Sequence, residues 1–453
     1  MKQIDFEHGK ITDNILRASI PMLVAEVLSL LYNIVDRIYI ARIPDVGTTA
    51  LGAVGLCFPI ITIILAFSNL FGSGGAPLFS IERGRKDTKE ASMIMNTSFF
   101  LICVCALLLM AVGMIFAKPI LLLFGSSENG LIYAYPYLMI YLIGTFPSMV
   151  STGMNPFINA QGYATTGMFS VAIGAVANLI LDPVFIFVFG LGIRGAAIGT
   201  LTARILEVIV LLVYLFRSAG KKLGLHFSNY FHVDPVLTKD YLKTTAPMLV
   251  TNGLWGVNTA LQTVILGHMT AAAIAANSVA STLYMLIKST AVGASSTASV
   301  MIGKAVGSGD IPLTKHYSKL LQRLFLCIGV LSGITLFFIR IPILSIYDLQ
   351  PATKEMANTF LIIMSVICVG MTYQMPTNNG IIRGGGNALF VVKMDLISIW
   401  CIVLPLSFFM AFVMHASPTV VVWCLNADQI FKCVPAFLES NYGNWIRKLT
   451  RDE

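Results

Sequence analysis

Long apolar stretches recur along the whole chain, each bounded by short clusters of charge, glycine and proline. The pattern predicts helices over 15–40, 50–80, 93–117, 131–158, 165–189 and 194–216, then over 241–268, 271–303, 317–341, 355–382, 388–414 and 417–438. A helix needs about 20 apolar residues to cross the hydrocarbon of a bilayer, and these runs have that length. The widest polar gap, 217–240, carries Lys221, Lys222, His226, His232 and Asp234. It reads as a cytoplasmic linker between an N-terminal lobe, 1–216, and a C-terminal lobe, 241–453. The polar segment Met1–Asn14 leads directly into an apolar run too long for a signal-peptide core, so that run is retained as the first span.

Composition makes the membrane reading firm. Of 453 residues, 56% are hydrophobic and 11% charged, and the mean hydropathy is +0.80. Soluble domains carry about 25% charged residues, and this chain has too few to cover a water-facing surface. The net charge of +8 does not indicate a nucleic-acid partner. Basic residues in a nucleic-acid binder gather into polar patches, whereas here they occupy short gaps between apolar runs. With the N-terminus inside, Lys10, Arg17, Arg83, Arg85, Lys86, Lys89, Lys221, Lys222, Lys304, Lys315, Lys319, Arg383 and others fall on the inner side, and Arg42, Lys118, Arg194, Arg340 and Lys354 outside. This bias of roughly four to one places both termini in the cytoplasm and predicts a multi-pass protein of the plasma membrane. The eight cysteines show neither zinc-site spacing nor the density of a disulfide framework and read as small buried hydrophobes.

The halves resemble each other. Pro21-Met22-Leu23-Val24 recurs as Pro247-Met248-Leu249-Val250, and Gly84-Arg85-Lys86-Asp87 lines up with Gly307-Ser308-Gly309-Asp310. Gly162 is matched with Gly384, and Pro183 with Pro405. Six spans in each half make the duplication direct. The predicted fold is an all-α polytopic membrane protein of twelve helices, in two six-helix lobes related by a pseudo-two-fold axis along the membrane normal.

Charge within the spans then singles out residues. An ionised aspartate at mid-membrane costs on the order of 2.5–3.5 kcal/mol. Asp36 lies late in the first span, and Asp182 lies in the fifth, four residues after Asn178 and so on the same helix face. Pro183 removes a backbone donor there and frees a carbonyl. Two carboxylates, an amide and a loosened backbone suit a hard cation such as Na+; held together away from water, the same carboxylates can carry H+ instead. In the repeat alignment Asp36 falls opposite Gln262 and Asp182 opposite Leu404, so the acidic pair belongs to the first half alone. Asp36 solvated at the outer interface, or paired with Arg37, is the structural alternative. Glu26 either lines a cleft that attracts cations or is structural. Arg204 with Glu207, and Asp428 with Lys432, are spaced for mutual neutralisation. Lys393 and Asp395 sit where side chains can snorkel from a helix end. Gly72-Ser73-Gly74-Gly75 and Gly384-Gly385-Gly386 lack the lysine of a nucleotide-binding loop and read as packing or turn glycines.

The segment Asn178-Leu179-Ile180-Leu181-Asp182-Pro183-Val184-Phe185-Ile186-Phe187, followed by Gly195-Ala196-Ala197-Ile198-Gly199-Thr200, resembles the fifth and sixth helices of MATE (multidrug and toxic compound extrusion) transporters. Tyr32-Asn33-Ile34-Val35-Asp36-Arg37 resembles their first helix, and Arg383-Gly384-Gly385-Gly386-Asn387 the start of their eleventh. The likeness runs over nearly the whole chain and is greatest to the bacterial DinF-like and MepA-like branch. It implies rocking lobes and export of cationic drugs driven by Na+ or H+, without a cofactor. It also implies a cation site at Asp36, Asn178, Asp182 and Thr200, with Tyr137 beside it. The second half lacks the seventh-helix acid of some relatives, and Asn387 replaces a common aspartate.

The reading is therefore a monomeric antiporter of small organic cations in a lipid bilayer, not an enzyme. A lipid-linked glycan flippase of similar fold would need more Arg and Lys inside the spans. A membrane-embedded enzyme lacks its motifs, and a channel would not couple flux to an ion gradient.

Overall fold

The computed structural model describes residues 11–44, 46–123, 128–215, 271–346 and 351–446, with 238, 239, 241, 242, 258, 261, 262, 265, 266 and 269. Most of the predicted seventh helix, with its Pro247-Met248-Leu249-Val250 motif, and most of the 217–240 linker lie outside the described residues. Among the described residues every regular element is helical, and nine helices are long and apolar enough to cross a membrane. The chain divides into two compact units, Met1–Leu249 and Val250–Glu453.

In the first unit the helices are α1 (Ile11–Ala41), α2 (Gly47–Gly84), α3 (Thr88–Leu123), α4 (Glu128–Ile143), α5 (Thr145–Ala160), α6 (Ala164–Pro183) and α7 (Ile193–Tyr214). The span predicted over 131–158 is thus two helices, hinged at Gly144. Helix α5 is the buried centre, with Met149, Val150, Phe157 and Ile158 shielded. Its Gly153 meets Gly72 of α2 so closely that a Cβ on Gly72 would lie 2.6 Å from the Gly153 carbonyl oxygen, which is why small residues occur there. Helix α3 turns Leu107, Leu108, Val112, Ile115 and Phe116 outward. In lipid such exposure costs nothing, because the surroundings are as apolar as the side chains.

The second unit contains α8 (Ala271–Gly307), α9 (Ile311–Ile346), α10 (Pro351–Pro376), α11 (Ala388–Leu396), α12 (Leu404–Phe408), α13 (Pro418–Leu425), α14 (Asp428–Phe431) and α15 (Cys433–Tyr442). Helix α10 is its centre. Gly329 and Gly333 of α9 approach the α10 backbone at Val369 and Ser365, and Gly370 of α10 approaches Gln429.

Proline explains much of the irregularity. Pro183 and Pro376 each lead into a π-helical segment, Val184–Val188 and Thr377–Ile382. A proline donates no backbone hydrogen bond, so the ladder around it is free to slip by one residue.

The repeat is visible in backbone conformation. Lys86 and Gly309 both take a positive φ, 66° and 75°, at corresponding turns. The aspartates that follow cap the next helices in the same way. Asp87 Oδ1 accepts from Glu90 N at 2.9 Å, and Asp310 Oδ1 accepts from Leu313 N at 2.9 Å.

Further along, the alignment drawn from the sequence needs correction. Gly162 (φ 88°) corresponds to Gly386 (φ 106°), not Gly384. The helices that follow both end in a π turn, at 184–188 and at 409–413. Counting back from those turns sets Asp182 opposite Ser407 rather than Leu404, and Pro183 opposite Phe408 rather than Pro405. An extra residue in the second helix, taken up by its additional π segment at 397–403, is the physical reason.

Candidate functional site

Helices α1 and α6 pack along each other, and α7 packs on α6. This brings residues separated by some 146 positions together. The Asp36 and Asp182 carboxyls lie within hydrogen-bonding reach of each other. Asp182 is fully buried, at 0% exposure, and Asn178 is buried at 3%. Asn178 Nδ2 donates to Asp182 Oδ1 at 3.0 Å and to Thr200 Oγ1 at 3.3 Å. Asp36 Oδ1 and Asp182 Oδ2 are buried and meet no donor from the chain.

Two backbone features position the acid on α6. Pro183 ends the regular ladder just after Asp182, and Gly199 on α7 leaves the space its carboxyl fills. A Cβ on Gly199 would collide with Asp182 Oδ1 and stand 3.2 Å from its Cα. Neighbouring Gly195 likewise admits the Phe185 backbone. The Gly-Ala-Ala-Ile-Gly-Thr segment therefore brings two backbones together and sets Thr200 beside Asn178.

Tyr137 of α4 is buried and stacks on Tyr141, with ring centroids 6.2 Å apart. Its phenol is near enough to Asp36 and Asp182 for their charges to act on it. The five residues named from the sequence, Asp36, Tyr137, Asn178, Asp182 and Thr200, are thus gathered in one place. Glu26 is not among them. It lies ten residues earlier on α1, about 15 Å away at a helical rise of 1.5 Å per residue, and is partly buried. Arg37 is exposed beside Asp36 and acts on it through charge, while the carboxyl itself contacts Asp182.

Sequence spacing missed the chamber next to this cluster. A small cavity is lined by Tyr32, Gly174, Asn178, Thr200, Ala203, Arg204 and Glu207, so it shares Asn178 and Thr200 with the acid pair. Arg204 Nη1 pairs with Glu207 Oε2 at 2.7 Å, as their spacing suggested. Arg204 also donates to the Tyr32 hydroxyl and stands 5.2 Å from the centroid of that ring. The only sequence signal for Tyr32 is its place one turn before Asp36 on the same helix face.

In chemical terms the cluster offers carboxylate, amide and hydroxyl oxygens, with two buried carboxylate oxygens not satisfied by the chain. Oxygen donors of this kind fit Na+ or a proton. Among the described residues no group of three His, Cys, Asp or Glu side chains gathers as a transition-metal site would require.

The second unit differs from the sequence reading at one residue. Asp395, expected to snorkel, instead pairs with Lys432 at 2.8 Å, while Lys393 is exposed. Lys432 also pairs with Asp428 at 3.0 Å.

Comparison with known proteins places the fold in a family. The MatE family profile matches residues 21–184 and 247–409. The probable multidrug resistance protein YoeA of Bacillus subtilis (strain 168) is 24% identical over 411 residues, covering 86% of this chain and 84% of that one. The multidrug export protein MepA of Staphylococcus haemolyticus (strain JCSC1435) is 27% identical over 254 residues, 56% of this chain and 55% of its own. A solved structure described as the outward-facing conformation of a multidrug resistance MATE family transporter of the MOP superfamily shares the fold. Its TM-score is 0.89 at 19% identity, over 97% of both chains. With both halves matched and the twelve-helix fold shared, the chain belongs to the MatE family of polytopic membrane transporters.

Proposed function

We propose that this chain is a secondary-active antiporter of the plasma membrane, with both termini cytoplasmic, that exports small organic cations in exchange for Na+ or H+. The observation that supports it is the contact between Asp36 and Asp182. Two buried carboxyls on different helices repel each other unless a cation or a proton lies between them. Binding and release of that ion therefore changes how strongly α1 is held to α6. Asn178 and Thr200 supply neutral oxygens, and buried Tyr137 stands near the two acids.

Coupling follows from linkage. An ion that favours one arrangement of α1 on α6 disfavours whatever substrate binds the other, and the effect is reciprocal. The small cavity beside the pair shares Asn178 and Thr200 with it, so a shift of either side chain is felt at both. The substrate class rests on the multidrug names of the relatives and on the negative charge buried in this unit.

The test is dye efflux from proteoliposomes under separately imposed sodium and pH gradients. One of the gradients should drive efflux. Asp36→Asn and Asp182→Asn should each reduce driven efflux to the rate seen without a gradient, while the protein still inserts. Full driven efflux in both variants would remove the proposal.

A further inference from the structure

The second unit buries an ammonium between two carboxylates. Lys432 Nζ stands 2.8 Å from Asp395 Oδ1 and 3.0 Å from Asp428 Oδ2. Lys432 is 3% exposed and Asp428 5%. Amides hold the Asp428 carboxylate in place. Gln429 Nε2 donates to Asp428 Oδ2 at 2.8 Å, and Gln374 Nε2 donates to Gln429 Oε1 at 2.9 Å.

The backbone bends to make this arrangement. Regular helix stops at Leu425, resumes for the four residues of α14, and turns again at Lys432 before α15. Helix α11 likewise passes into a π segment two residues after Asp395. Interrupted helices at membrane depth persist where protein groups take up the freed backbone, and they concentrate at sites that bind something.

The other charged or ionisable groups facing the cluster are Lys288 and Tyr284 of α8, near Asp428, and Arg383, just after the π segment Thr377–Ile382, near Asp395. The ammonium that pairs with both carboxylates at once is that of Lys432. It is a monovalent cation four residues along the same chain segment from Asp428. In the first unit the corresponding chemistry is different, because Asp36 and Asp182 touch one another directly.

A tethered cation differs from a dissolved one in a single respect. Its effective concentration at the site is set by the chain and does not fall when the surrounding ion concentration falls. It offsets one of the two negative charges for as long as the pairs hold, and it cannot be released to either side of the membrane.

We propose that Asp395 and Asp428 form a second cation site whose resident cation is the Lys432 ammonium, so that ion exchange is confined to the first unit. The inference rests on reading the Asp36–Asp182 pair as the exchanging site.

Purified full-length protein in nanodiscs tests it by radioactive sodium binding at saturation, together with proton uptake in weakly buffered solution. Wild type should bind one cation per chain, counted as sodium plus protons. Lys432→Gln should bind two, a twofold rise, and Lys432→Gln combined with Asp428→Asn should return to one. Asp428→Asn alone should stay at one, an arm that holds even if Lys432→Gln fails to fold. A monodisperse Lys432→Gln protein with no added cation would overturn the proposal, as would loss of a cation in Asp428→Asn. Asp36→Asn separates the two readings. It should remove the single wild-type cation and leave the added one in Lys432→Gln. If wild type binds none while Lys432→Gln binds one, the first-unit reading fails and this one stands.

Discussion

In the first unit Asp36 and Asp182 meet face to face, while in the second Asp395 and Asp428 are bridged by Lys432. Both arrangements bury two carboxylates in an apolar medium, and both need one positive charge to be stable. Under the proposed function the first takes that charge from solution, so its stability should depend on ion and proton concentration. The second supplies it from its own chain. A duplicated bundle can in this way keep similar helix irregularities in both halves while only one half responds to a gradient.

The sharpest break in the comparison is functional. Asp36→Asn should abolish gradient-driven efflux, and Asp428→Asn should leave it running, when both are assayed in the same proteoliposomes. Equal loss in the two would make the units alike.

Next in size is stability. Lys432→Ala removes the ammonium that bridges buried Asp428 and part-buried Asp395 and should destabilise the protein by about 3 kcal/mol, read as a lower thermal unfolding midpoint. Adding Asp428→Asn should recover more than half of that loss. Asp36→Asn should change the midpoint far less, because neutralising one member of a contacting acid pair removes a repulsion.

Glycine substitutions sharpen the contrast at intermediate size. Gly199→Ala pushes on Asp182 Oδ1 and should weaken ion binding roughly tenfold, about 1.4 kcal/mol, seen as a shifted ion dependence of transport. Gly370→Ala pushes instead on the Gln429 carbonyl and should lower the unfolding midpoint, by about 1–3 kcal/mol of overpacking, without moving that ion dependence.

Smallest, and equal in both units, are the helix caps. Asp87→Ala and Asp310→Ala should each cost about 1 kcal/mol in unfolding experiments, because each removes the same bond to the backbone N–H three residues on. A marked inequality there would show that the repeat does not extend to local stability.

Legibility in the sequence followed the range of the interaction. Local features were readable, including the apolar runs, the Arg204–Glu207 and Asp428–Lys432 spacings, and the shared turn at Lys86 and Gly309. Asn178 and Asp182 could be set on one face because four residues make about one turn. The prolines marked where ladders slip, yet the number of π segments was not readable, and that number moved the repeat alignment so that Asp182 faces Ser407. Gly144 gave no warning that the span over 131–158 is two helices. Asp395 near the end of α11 had the look of a snorkelling residue; only the approach of another helix showed its partner to be Lys432.

By itself the amino-acid order determined that this chain lives in a membrane as a bundle of helices, because apolar length and scarcity of charge leave no other way to satisfy the backbone. It also determined which side chains bring charge into that medium. Tertiary structure alone decided which charges meet. Contacts such as Asp36 with Asp182, Tyr32 with Arg204 and Asp395 with Lys432 join residues far apart in the chain, and helix packing sets them; at Gly199, Gly195 and Gly370 a missing Cβ lets neighbouring helices come close.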